Sequence, residues 1–215
     1  MASSWRRAIR YILLPAQITV CSIIFINDNL FEVLAVTGAS MQPTLSPRYR
    51  LDRSRDFVLW DKYAPTQDLK RGDLVLFHAP HAPEKLSVKR VIALGEDTVL
   101  LDPRRRPEDA INGAVNDAAQ KWDRIFYTNK GRVPVPEGHV WVEGDNWRRS
   151  NDSNAYGPIS TGLILGKARF LIWPLQQFGG KPWEHWTMRR TKVVPPPLPK
   201  KNDNAEEVES WWQPV

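Results

Sequence analysis

A single cysteine, Cys21, among 215 residues excludes an intrachain disulfide and any cysteine-built metal centre, so the fold stands on packing alone. The four histidines, His78, His81, His139 and His185, lack the short paired spacing of metal-binding helices, and no metal or cofactor is expected. Clustered basic charge is also missing. The 30 basic and 24 acidic residues are scattered, and the densest run, Arg104 to Arg106, is followed at once by Glu108 and Asp109, so no nucleic-acid partner is expected. Long apolar runs are scarce. Residues 11–26 form one, weakened by Pro15 and Gln17, and as a helix it spans ~24 Å against a hydrocarbon core of ~30 Å. Acidic residues are absent from the first ten positions, which carry Arg6, Arg7 and Arg10, and no small-residue cleavage site follows Ile26. With Asp28 and Glu32 beyond the run, the charge bias predicts one retained membrane anchor within residues 1–29 and the remainder of the chain across the bilayer.

What is present suffices for one core: 42% of the residues are hydrophobic and 25% charged. From residue 30 to 175 short β-type runs alternate with Pro, Gly and Asp, predicting strands at 31–36, 57–60, 74–77, 86–94, 99–101, 125–127, 140–142 and 163–173. The domain is expected to be mainly β. An insertion near 103–122 carries Ala110, Ala114 and Ala118 at helical spacing around Gly113, which weakens any helix there. Residues 176–215 hold Gly179-Gly180, the proline run at 195–199, and Trp183, Trp186, Trp211 and Trp212. They predict an extended Pro/Trp-rich tail rather than a second domain.

Three stretches carry chemistry. Gly38-Ala39-Ser40-Met41-Gln42-Pro43-Thr44 is a small-residue turn that lifts Ser40 out of the preceding strand. In Ser87-Val88-Lys89-Arg90-Val91, alternation puts Lys89 on one face and Arg90 on the other, so one cation must meet apolar surroundings. A lysine acts as general base at neutral pH only when its pKa is lowered by roughly 2 to 3 units, which apolar burial achieves. A serine and a neutral lysine then suffice for acyl transfer without histidine. The third stretch, Gly144-Asp145-Asn146 through Ser150, Asp152, Ser153 and Asn154, is rich in turn-formers and lacks the alternating acidic ligands of a calcium loop.

Taken in order, Ser40-Met41-x-Pro43, Arg71-Gly72-Asp73, Lys89-Arg90-Val91 and Gly144-Asp145-Asn146 with Ser150 and Asp152-Ser153 resemble the successive boxes of the type I signal peptidase family. The resemblance runs from the anchor to about Pro174. It implies a β-rich catalytic domain lying on a membrane, with Ser40 as nucleophile, Lys89 as general base, Ser150 orienting the lysine and Asp152 as a structural carboxylate. Two positions depart from the bacterial pattern. Gly38 stands where many members have a serine whose hydroxyl joins the oxyanion hole, so that hole is expected to rely more on the Ser40 N–H. Asn154 stands where an arginine commonly pairs with the aspartate. Asp152-Ser153-Asn154 resembles instead the second-subunit type of the mitochondrial inner membrane peptidases. That resemblance implies removal of sorting presequences, a single-pass position facing the intermembrane space, lipid contact, and a sister catalytic subunit as partner. The rival expectation is a non-catalytic assembly subunit, to which Gly38 lends weight.

Overall fold

The computed structural model describes residues 2–80, 82–101, 131–185 and 191–196, with the backbone alone for 2–12 and 14. Helix α1 spans Ala2–Asn29 and contains Pro15, whose carbonyl accepts a 2.9 Å hydrogen bond from Thr19 Oγ1. Its 28 residues measure ~42 Å, yet every residue from Pro15 to Asn29 is exposed. Among the described residues no helix is both long and apolar enough to cross a membrane.

The strands are β1 (Phe31–Val36), β2 (Asp56–Asp61), β3 (Leu74–Ala79), β4 (Ala82–Ala93), β5 (Thr98–Leu100), β6 (Arg132–Pro134), β7 (His139–Glu143), β8 (Ile159–Ser160), β9 (Ile164–Trp173) and β10 (Lys192–Val194). A seven-stranded sheet runs β1-β2-β9-β3-β4-β7-β8, and a three-stranded sheet runs β10-β5-β6. The domain is thus mainly β, as its alternating sequence predicts. In β1 and β2 one face is buried and the other is not: Val36, Val58 and Trp60 point inward, while Phe31, Val33 and Phe57 are partly exposed. Central β3 is apolar on both faces. Leu74 and Leu76 join Val36, Met41, Leu45, Trp60 and Leu171, and Val75 and Phe77 join Val91, Val142 and Ile164. A third cluster, with Ile92, Val99, Val133 and Trp141, joins the smaller sheet to the larger.

Predicted strands 31–36, 57–60, 74–77, 86–94, 99–101, 140–142 and 163–173 all fall on observed strands within a few residues. The run at 125–127 and the insertion near 103–122 lie outside the described residues. Strands β6, β8 and β10 have two or three residues each, too few to display a period of two. Among its described residues, 176–185 and 191–196, the C-terminal segment packs back on the sheets. After Trp173 the chain doubles back, with Gly179 N–H donating to the Leu171 carbonyl and Leu171 N–H to the Gly180 carbonyl, each at 2.9 Å. Trp183 is then buried beside Val58 and Trp60, and β10 pairs antiparallel with β5. Two of the segment's partners are therefore within its own domain.

Candidate active site

Ser40 sits on the loop between β1 and a single helical turn, α2 (Tyr49–Asp52). Both ends of that loop are fixed. Ser46, buried and with φ +49°, donates its hydroxyl to the Val36 carbonyl at 2.9 Å and its N–H to Asp56 Oδ2 at 2.7 Å. Burial pushes the Asp56 carboxyl up, and the Ser46 N–H partly opposes the rise. Met41 and Leu45 drop into the main core, with Leu45 N–H bonded to the Met41 carbonyl at 2.9 Å. Gly38 has φ +91°, a conformation L side chains rarely adopt. Its glycine thus has a backbone reason.

The third stretch holds the backbone of Ser40. Asn146 N–H donates to the Ser40 carbonyl at 2.9 Å, and its side-chain amide to the Ala39 carbonyl at 3.0 Å. No hydrogen bond among the described residues uses the Ser40 N–H. This approach depends on Gly144. A Cβ built there would lie 2.7 Å from the Ser40 carbonyl oxygen, 2.6 Å from Ser150 Cβ and 2.3 Å from Ser150 Oγ. Backbone cannot yield as a flexible side chain can. Gly144→Ala is therefore expected to displace Ser40 and lower kcat by about 10²-fold while the fold is retained, checked by peptide cleavage alongside circular dichroism.

Lys89 lies opposite Val75 across the β3–β4 ladder and two residues from Val91, both fully buried. Its Nζ is 3.0 Å from Ser40 Oγ and 3.2 Å from the Val88 carbonyl oxygen. Burial pushes the Lys89 amine well below the ordinary lysine range, while Asp152 and then Asp145 pull it back up. Each of those carboxylates has its charge engaged elsewhere. Asp152 caps α3 (Ser153–Tyr156) and accepts from Gly144 N–H at 2.9 Å, Asn154 N–H at 3.1 Å and Asn154 Nδ2 at 2.9 Å. Asp145 accepts a bidentate pair from fully buried Arg90, at 2.8 and 2.6 Å. Thus neither cation of the Lys89-Arg90 pair reaches water. One is paired and the other is left against apolar neighbours, beside a hydroxyl.

Arg90 also donates to the carbonyls of Gly72, at 2.8 Å, and Trp183, at 3.1 Å, with Thr44 Oγ1 at 3.5 Å. It ties the loop before β3, the returning C-terminal segment and the Ser40 loop to Asp145. Ser150 does not meet the lysine as expected. Its hydroxyl is buried with no hydrogen-bond partner among the described residues, and the second contact of Lys89 Nζ is the Val88 carbonyl of its own strand. Asn154 replaces an ion pair by an amide bridge, donating from Nδ2 to Asp152 and, at 3.2 Å, to Glu143 Oε1. Glu143 and Arg90 were not among the expected site residues. A cavity of about 590 Å³ lined by Asp61, Lys70, Gly72, Lys167 and Trp183 includes neither Ser40 nor Lys89. Its charges are largely consumed in the Lys167–Asp73 and Arg169–Asp61 pairs. Among the described residues no group of three or more His, Cys, Asp or Glu side chains could hold a metal ion.

A serine hydroxyl beside a buried lysine, on a mainly β domain, is an arrangement suited to peptide-bond hydrolysis, and residues 8–173 match the family described as signal peptidase, peptidase S26. The chain belongs to that family and is a serine endopeptidase of the signal peptidase type. It is 37% identical over 180 residues to the mitochondrial inner membrane protease subunit 2 of Saccharomyces cerevisiae, covering 83% of this chain and 88% of that one. Subunit 2 of Schizosaccharomyces pombe is 36% identical, with 73% of each chain covered. Subunit 1 of Mus musculus is also 36% identical, over 68% of this chain and 72% of that one. The resemblance of Asp152-Ser153-Asn154 to the second-subunit type therefore agrees with the whole-chain comparison.

Proposed function

We propose that this protein removes sorting presequences from proteins delivered to the mitochondrial intermembrane space, with Ser40 as nucleophile and Lys89 as general base. The observation that carries the reading is the 3.0 Å approach of Lys89 Nζ to Ser40 Oγ with the amine buried. A neutral amine donates to the Val88 carbonyl and turns its lone pair to the serine hydroxyl. As Ser40 Oγ attacks the scissile carbonyl, its proton passes to Lys89 Nζ, and the oxyanion is met by the Ser40 N–H. The tetrahedral adduct expels the amine product, which takes the proton from Lys89, leaving an acyl-enzyme on Ser40. Water, giving its proton to Lys89 Nζ, then attacks the ester, and collapse releases the acyl product while Lys89 returns the proton to Ser40 Oγ. Small residues before the cleaved bond are expected from the shallow pockets that the family resemblance implies.

The membrane position rests on α1 and on the outer face of the adjoining strands. Phe31 and Val33 of β1, Phe57 of β2 and Trp173 of β9 share that face, each 38–48% exposed, with Leu175 and Phe178 more exposed still. Monomeric soluble domains rarely leave such a patch open to water. In this reading α1 inserts with Arg6, Arg7 and Arg10 on the matrix side, and the apolar face rests on the bilayer in the intermembrane space. A sister catalytic subunit completes the complex, as the subunit names of the relatives suggest.

Two measurements test the reading. Ser40→Ala is expected to insert normally and to lose presequence cleavage, whereas an assembly subunit would leave processing intact at unchanged protein level. The pH profile of kcat/KM is expected to rise through an acid limb below the usual lysine range. The base works only uncharged, so activity is present above the lowered Lys89 pKa and lost as pH falls through it. Cleavage by Ser40→Ala at the wild-type rate would refute the assignment.

A further inference from the structure

The family match ends at residue 173, but two later residues bond to side chains of β4 and β7 next to the Ser40 site. The carbonyl of Trp183 accepts from Arg90, and buried Thr191 donates its hydroxyl to Glu143 Oε2 at 2.8 Å. Glu143 is itself buried, and its Oε1 accepts from Trp141 Nε1 at 2.9 Å and Asn154 Nδ2 at 3.2 Å. The same Asn154 Nδ2 is 2.9 Å from Asp152 Oδ1, and Asp152 Oδ2 receives the Gly144 N–H. A continuous chain of hydrogen bonds therefore runs Thr191, Glu143, Asn154, Asp152, Gly144, and ends where Gly144 meets the Ser40 carbonyl. One amide serves two carboxylates in it, so a donor gained or lost at Glu143 changes how firmly Asn154 holds Asp152.

We propose that Thr191 is a positioning residue for the serine and lysine, acting from the C-terminal segment by fixing Glu143 and through it the share of the Asn154 amide that reaches Asp152. The proposal rests on the reading of Ser40 and Lys89 as the reacting pair. The charged groups facing Lys89 among the described residues are Asp152 and Asp145. Asp145 is held by Arg90, and Glu143 stands opposite Arg90 across the β4–β7 ladder. Of these, Asp152 is the one whose neutralising donors can be altered from the tail. Thr191→Val keeps shape but removes the donor. Asn154 then leans toward Glu143, Asp152 is less well neutralised, and protonated Lys89 is favoured. Glu143→Gln keeps the acceptor for Trp141 and Asn154 and removes the competing charge, so it acts in the opposite direction.

The test is steady-state cleavage of a presequence peptide by the full-length, membrane-reconstituted protein across pH, with thermal unfolding in parallel. For Thr191→Val, kcat is expected to fall about tenfold with KM unchanged, and the acid limb to move up by about half a pH unit. Thr191→Ser is expected to restore both, and Glu143→Gln to move the acid limb down. Wild-type kcat and acid limb in Thr191→Val would overturn the proposal, as would failure of Thr191→Ser to restore them or a Glu143→Gln shift in the same direction as Thr191→Val. If Thr191→Val does not fold, the direction of the Glu143→Gln shift decides. Failure of the underlying reading is separate, since it would appear as cleavage retained by Ser40→Ala and Lys89→Met.

Discussion

Lys89→Met is expected to reduce kcat/KM by at least about 10³-fold while making the folded protein more stable, by about 1 to 2 kcal/mol at neutral pH. The two effects have one cause. The amine's folded-state pKa lies below its unfolded value, so keeping it buried at neutral pH opposes folding. That opposition is absent above the unfolded pKa of ~10.4 and grows as pH falls toward the folded one. Methionine fills similar volume between Val75 and Val91 without a proton to lose or hold. The stability gain over wild type is therefore expected to shrink as pH rises, which thermal unfolding at pH 7 and pH 10 would record. A catalytically dead variant that is also destabilised would argue that the lysine is structural.

The second large effect is on stability. Arg90→Leu removes the only described partner of Asp145 that carries positive charge, and strips donors from the carbonyls of Gly72 and Trp183. Breaking a buried pair by deleting one partner costs about 3 to 5 kcal/mol, because the surviving charge is left without compensation. For a chain of this size that lowers Tm by roughly 10 °C. Asp145 is also free to act on Lys89 in that variant, so any residual activity should have its acid limb at higher pH. Calorimetry of Arg90→Leu against wild type checks the first expectation, and a shift of less than about 1 kcal/mol would contradict it.

The contrast between adjacent Lys89 and Arg90 shows how far sequence could carry the site. Alternation along β4 separates the two cations, and the Ser40 turn and the Gly144-Asp145-Asn146 stretch stand out by composition. What periodicity along β4 could not supply was the partner of each cation. Arg90 pairs with Asp145, which lies 55 positions along the chain, and a strand pattern says nothing about which loop closes over it. The resemblance assigns Ser150 to the lysine, yet its hydroxyl packs against Gly144 and makes no hydrogen bond among the described residues. The longer strands were legible as alternating or continuous apolar runs bounded by turn residues. Strands β6, β8 and β10 were not, since Pro134 and runs of two or three residues give no period. The buried partners of Trp183, named in the sequence without one, and of Thr191, not named at all, are the clearest gaps. A proline- and glycine-rich composition describes the conformational freedom of a segment in isolation, and has no means of registering that one indole and one hydroxyl find buried partners in the domain.

The account turns on Lys89 being uncharged at working pH. The most direct measurement is the titration of the Lys89 amine itself, by NMR of lysine labelled at Cε in the Ser40→Ala protein, with Lys89→Met identifying the resonance. A midpoint well below the usual lysine range, coinciding with the acid limb of wild-type kcat/KM, is the predicted result. A midpoint near the ordinary value of ~10.4 would contradict it, since an amine that stays charged cannot take the serine proton.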